Sequence, residues 1–160
     1  RIVFDELATA LENVKENIQY CSRCHNFAEG ELCEVCKDDS RDENLICIVS
    51  SPKEIISIEK SGQYKGLYHV LGGLISTRKG IMPDDLNIND LRDRITDSTK
   101  EIILALNATV EGETTALYLA KKYQGLVPVT RLAFGLSIAG QSDYADDMTL
   151  LKAFEGRKKM

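Results

Sequence analysis

Leu7, Leu11, Val14 and Ile18 recur at steps of four and three residues. That spacing predicts a helix over 5–19 with one apolar face, and a face of that kind is expected to pack on a neighbour. Asp5 and Glu6 suit its positive end. The pattern then changes. LICIVS (45–50) is a short continuous apolar run, which predicts a buried parallel strand. Ser51-Pro52 opens a helix over 53–60 with Ile55, Ile56 and Ile58 as its apolar positions, proline being well suited to a first turn. GLYHVLGG (66–73) reads as a second strand ending in glycines. INDLRDRIT (88–96) reads as a helix capped by Asn89 or Asp90. EIILALN (101–107) is the clearest strand, and the helix 111–123 follows it with Ala116, Leu119, Ala120 and Tyr123 on one face. LVPVTRLA (126–133) is another strand, with Pro128 at a start or an edge. FGLSIAGQSD (134–143) is a loop, and YADDMTLLKAFEGRKK (144–159) a closing helix.

Strands that alternate with helices predict an α/β fold with a mostly parallel sheet flanked by helices and right-handed crossovers. The polar connector KDDSRDEN (37–44) is the one good boundary, separating a small N-terminal module from the α/β part.

Charge narrows the function. The 160 residues carry a net charge of -5, which excludes a broadly basic nucleic-acid binder. The apolar runs fall far short of a bilayer span, and no export-signal pattern is present. A reducing cytoplasm is therefore expected, where paired cysteines serve as metal ligands or reactive thiols more often than as disulfides. The chain opens at Arg1 without an initiator Met and reads as a fragment of a longer protein.

CSRCHNFAEGELCEVC (21–36) holds four of the five cysteines, in two C-x-x-C pairs. Each pair turns two thiolates toward one tetrahedral ion, and two pairs complete its shell. Cys21, Cys24, Cys33 and Cys36 therefore predict one structural Zn²⁺ with no open coordination position; a redox dithiol is the competing reading. His25 is an alternative ligand that four sulfurs make unnecessary. Cys47, inside an apolar strand, reads as a small core residue. A free-standing zinc-ribbon nucleic-acid binder would need a basic knuckle, yet 21–36 sets Arg23 against Glu29, Glu31 and Glu34.

The second motif, Glu111-Gly112-Glu113, lies between the clearest strand and its helix, where open parallel sheets form ligand sites. Two acids in a first helical turn are also ordinary partners of the helix dipole. Gly112 allows a close backbone approach. The stretch 106–119 resembles the D-x-D-x-E-G-E signature of the Toprim domain of topoisomerases and primases. Asn107 and Thr109 stand at the two Asp positions, and Ser50-Ser51 where a first-strand glutamate is expected. Losing those carboxylates removes the hard anionic oxygens that Mg²⁺ needs.

With the upstream cysteines, the chain closely resembles the family of the bacterial recombination mediator RecR, through YCSRC, CEVC, GLYHVLGGLIS, TVEGETTALYLA and YADDMTLLKAFEGRKKM. It departs from the family at Leu106-Asn107-Ala108 and over Gly135–Gly140, and most of the family's leading helix-hairpin-helix is missing. The resemblance implies an N-terminal remnant at 1–20, a zinc finger at 21–42, a Toprim domain at 43–134 and a Walker-B-like segment and helix at 135–160. It implies a non-enzymatic, ring-forming clamp, dimer or tetramer, that acts with RecO and RecF at single-strand gaps and promotes RecA loading. DNA binding by this shortened form is expected to be weak. The resemblance assigns RecO contact to Glu111 and Glu113, and self-association to Tyr144, Asp146 and Asp147. No G-x-x-x-x-G-K-[ST] accompanies that Walker-B-like stretch, so ATP hydrolysis is not expected. Arg157, Lys158 and Lys159 form a candidate basic patch, or simply a solvated terminus. The alternative function is a Mg-dependent Toprim phosphotransferase or nuclease.

Overall fold

Strand β3 (Asp42–Val49) is the spine of the molecule, and its sequence explains why. Ile46 and Ile48 point to one side of the sheet, Cys47 and Val49 to the other, and all four are buried. A strand covered on both faces needs an unbroken apolar run. In the computed structural model, which describes residues 1–132 and 154–160, β3 pairs in parallel with β4 (Gly66–Val70) on one flank and β5 (Glu101–Leu104) on the other. β6 (Val129–Arg131) pairs in parallel with β5. Among the described residues the sheet order is β4-β3-β5-β6-β7, where β7 is Lys158–Lys159.

Helix α3 (Pro52–Ser61) packs Ile55 and Ile58 against the Cys47 face, together with Tyr64, Tyr68 and Phe154. Helix α5 (Val110–Lys122) packs Ala116 and Leu119 against the Ile46 face, with Tyr123, Ile88 and Leu91. Cys47 is a core residue with its thiol pushed up by burial. The mostly parallel, helix-flanked sheet is thus the one expected from the alternation of patterns.

Three expectations are corrected. First, α1 (Ile2–Asn17) forms but buries none of its residues; Leu7, Leu11 and Val14 are all more than half exposed. Periodicity makes an apolar face, but it does not supply a surface to cover it. Second, the helix expected over 88–96 shrinks to α4 (Leu91–Arg94), whose N-cap Asp90 makes no capping hydrogen bond because its carboxylate is used elsewhere. Third, the closing helix does not run through Lys159. Lys158–Lys159 is strand β7, antiparallel to β6. The end of the chain is a clasp. Phe154 is buried and stacks on Tyr64 at 5.3 Å, and Arg157 holds Glu101 through Nε at 2.6 Å and Nη2 at 3.1 Å. Arg157 is therefore tied into the fold and is no part of a free basic patch. Tyr144, Asp146 and Asp147, with the loop expected over 134–143, lie outside the described residues. No helix among the described residues is long and apolar enough to cross a membrane.

Candidate metal centre and strand-end cleft

Strands β1 (Gln19–Tyr20) and β2 (Phe27–Ala28) form a short antiparallel ladder around the first cysteine pair. The turn is tight: Cys21 N–H donates to Asn26 O and His25 N–H to Cys21 O, and His25 takes a left-handed conformation at φ 66°. Cys33 caps helix α2 (Glu34–Lys37), which carries Cys36 inward. The four cysteines are buried and free of disulfides, and their sulfurs lie within 4.8 Å of one another, Cys24 and Cys33 at 3.5 Å. A tetrahedron with Zn–S bonds of about 2.3 Å has sulfurs about 3.8 Å apart. The donor set and the spacing fit zinc, and among the described residues the cluster consists of these four ligands alone. Hydrogen bonding among the thiols lowers the Cys33 thiol and raises Cys24. A divalent cation favours the thiolate at all four.

A zinc ion held by four thiolates carries two net negative charges. Arg94, half-buried, lies close enough to feel the charge of the Cys36 and Cys24 sulfurs. Burial lowers its guanidinium, and the sulfurs of Cys36 and Cys24 act in the opposite direction. Arg94 Nη1 donates to Tyr68 O at 2.6 Å and to His69 Nδ1 at 3.0 Å. With Nδ1 accepting, His69 carries its proton on Nε2 and donates it to Asn87 O at 2.5 Å. Burial holds His69 down to about 4, so it stays neutral. His25 turns away from the sulfurs and donates to Asp90, which lies 65 positions along the chain. Cys24 O accepts from Val70 N–H at 2.8 Å. These contacts seat the cysteine module on the edge strand β4. His25, His69 and Asp90 are close enough to suggest a second metal site, but both nitrogens of His69 are committed to hydrogen bonds.

Beside the module, the carboxyl ends of β3, β4 and β5 open on a cleft of about 750 Å³, lined among others by Ser50, Gly73, Asn107, Thr109 and Glu111. Thr109 caps α5, its Oγ1 accepting from Gly112 N–H at 3.1 Å. Thr109→Ala is expected to lower stability by about 1 kcal/mol, read from a urea midpoint; an unchanged midpoint would show the cap to be silent. The two glutamates part company. Glu111 lines the cleft, whereas Glu113 turns to Arg131 and forms a two-pronged ion pair that holds its carboxyl low.

Glu54 is the residue that motif reading missed. Its buried carboxylate accepts from Ser50 N–H at 2.6 Å, Ser51 N–H at 3.2 Å and Ser50 Oγ at 3.0 Å. It thus puts an acid at the end of the first strand, but as half of a capping box. The signal was present in Ser51-Pro52-Lys53-Glu54, an S-x-x-E pattern. With Asn107 and Thr109 neutral and Glu54 and Glu113 engaged, the cleft does not fit a Mg²⁺ ion that requires several carboxylate oxygens.

Fold and site together define a zinc-finger protein with a Toprim sheet whose acidic set is depleted. The Toprim domain model matches residues 44–133, the model of the RecR four-cysteine zinc finger domain residues 18–38, and that of the RecR C-terminal region residues 143–158. A recombination protein RecR of Rubrobacter xylanophilus is 47% identical over 156 residues, covering 96% of this chain and 78% of the relative. Those of Natranaerobius thermophilus and Enterococcus faecalis are 48% and 47% identical, covering 98% and 96% of the chain and 79% and 78% of the relatives. The chain belongs to the RecR family, and its cysteine module is a structural zinc site.

Proposed function

We propose that this protein is a non-enzymatic scaffold of recombinational DNA repair. It acts in the cytoplasm with RecO and RecF at single-strand gaps, as part of a ring-like clamp that promotes RecA loading. Membership of a family whose relatives are named recombination proteins supports the repair role. The observation that carries the non-enzymatic part is the cleft, where of the motif acids only Glu111 faces inward and neutral Asn107 and Thr109 stand beside it. Magnesium-dependent cleavage or joining of DNA by the purified chain would overturn it in favour of a Toprim phosphotransferase or nuclease.

Glu111 is the stronger candidate for contact with a basic surface of RecO, because Glu113 already spends its charge on Arg131. Glu111→Lys is expected to abolish co-elution with RecO at unchanged zinc content. Glu113→Lys is expected to weaken it less while also breaking the Arg131 pair. Full co-elution of the Glu111→Lys chain would remove this assignment. Self-association is assigned to Tyr144, Asp146 and Asp147. Side-chain substitution there is the appropriate probe by light scattering, because truncation would also remove the Phe154–Arg157 clasp.

A further inference from the structure

The cysteine module spends its own cations on carboxylates: Arg23 pairs with Glu43, Lys37 with Glu34, and His25 is held by Asp90. A zinc ion with four thiolates, carrying two net negative charges, is therefore left without a counter-ion from its own segment. The α/β part holds the opposite imbalance. Arg23, Arg41, Arg94, Arg131 and Arg157 are the arginines only partly exposed to water. Arg23 meets Glu43, Arg41 meets Glu59, Arg131 meets Glu113 and Arg157 meets Glu101. Arg94 meets no carboxylate among the described residues. Its Nη1 donates to two neutral acceptors, Tyr68 O at 2.6 Å and His69 Nδ1 at 3.0 Å. A guanidinium drawn out of water among neutral partners alone is strongly disfavoured.

Position supplies the missing anion. Tyr68 and His69 lie on β4, the strand on which the module is seated through Val70 N–H and Cys24 O. The His69 ring meets the His25 ring edge-on, with centroids 5.5 Å apart, and His25 directly follows Cys24. Arg94 is thus held beside the cysteines, where the sulfurs of Cys36, Cys24 and Cys21 favour its charged form. We infer that Arg94 is the outer-sphere counter-ion of the zinc site: the α/β part supplies, from α4, the positive charge that keeps the metal in the finger. Partners outside the ligand shell commonly set the affinity of a metal site. Asp90 and Arg94 flank one short helix, so a single turn gives the module an acid for His25 and a cation for the sulfurs. Metal retention and the seating of the finger on β4 are then one property, because loading the finger also neutralises a charge that the α/β part leaves uncompensated.

The test uses the whole 160-residue chain. Loaded with zinc, it is mixed with pyridylazoresorcinol and the transfer of the metal is followed; loaded with cobalt(II), it reports through its thiolate-to-cobalt charge-transfer band. Arg94→Met keeps an apolar stem and removes the charge. It is expected to weaken zinc retention about tenfold or more. It is also expected to move the band to longer wavelength, because sulfur electrons that no longer face a cation are held less tightly. Arg94→Lys restores the charge without the fork and is expected to bring both readings most of the way back. Arg92→Met, on the same helix but exposed, is expected to change neither. The proposal falls if Arg94→Met retains zinc as the unaltered chain does or if the band does not move. It also falls if Arg94→Lys loses as much as Arg94→Met, which would make Arg94 a hydrogen-bonding prop of Tyr68 and His69 and nothing more. Should Arg94→Met not fold, Arg94→Lys against the unaltered chain decides: zinc retention and a band close to the unaltered values support the counter-ion, and a loss of about tenfold overturns it.

Discussion

Stripping zinc with a strong chelator at neutral pH is expected to melt residues 18–38 while the mostly parallel sheet persists. The reason lies in what the module is made of. Its buried cluster consists of the four cysteines and Ala28, with Leu32 and Val35 only partly covered. So little apolar surface cannot hold the backbone, and the ion is expected to contribute on the order of 10 kcal/mol to local folding. The sheet has its own two clusters, one on each face, and needs no metal. Cys24→Ser should reproduce the effect of the chelator. Hydrogen exchange gives a local readout at the Val70 amide, which donates across the boundary to Cys24 O. Loss of its protection with retained protection of β3 and β5 is the expected result. A metal-free chain with residues 18–38 still protected would refute the account.

Gly112→Ala should be among the most damaging single substitutions in the α/β part. A methyl group at Gly112 would lie 1.8 Å from Asn107 O and 2.9 Å from Asn107 C, a collision with backbone that no rotamer change relieves. The loop leading into α5 would have to move, breaking the Thr109 cap as it did so. A loss of about 3 kcal/mol or more is expected, visible as a large drop in the urea midpoint. A fall of less than about 1 kcal/mol would show that the loop yields more easily than the geometry implies. Glycine within the E-G-E motif therefore serves the protein's own chain reversal, and it does so whether or not anything occupies the cleft.

These two cases differ in how far they could be read in advance. The zinc site follows from short-range geometry: paired cysteines with two residues between them can face a single ion, whatever the rest of the chain does. The strand positions were legible for the same reason, since LICIVS and EIIL are apolar at nearly every position that two covered faces demand. Gly112 was legible as a place of close backbone approach, but the group that approaches it, Asn107 O, became visible only in three dimensions.

The roles of the acids were the least legible. Glu111 and Glu113 look equivalent in the motif, yet successive positions on a helix differ by about 100°, and the single residue between them sends them to different neighbours. Glu113 finds Arg131 at the end of β6; Glu111 faces the cleft. Asp90 reads as a helix cap until the zinc module brings His25 to it, and Arg157 reads as a basic tail until β7 sets it against Glu101.

By itself the sequence determined the elements, the zinc ligands' spacing and the depletion of the Toprim acids, because periodicity, chelate geometry and residue chemistry all act over a few neighbouring positions. Tertiary structure alone decided which charges are spent, how the finger is seated on β4, that the final strand runs antiparallel, and that the face of α1 stays uncovered. Each of those outcomes depends on which distant groups the folded chain brings within bonding distance, and no local pattern encodes that choice.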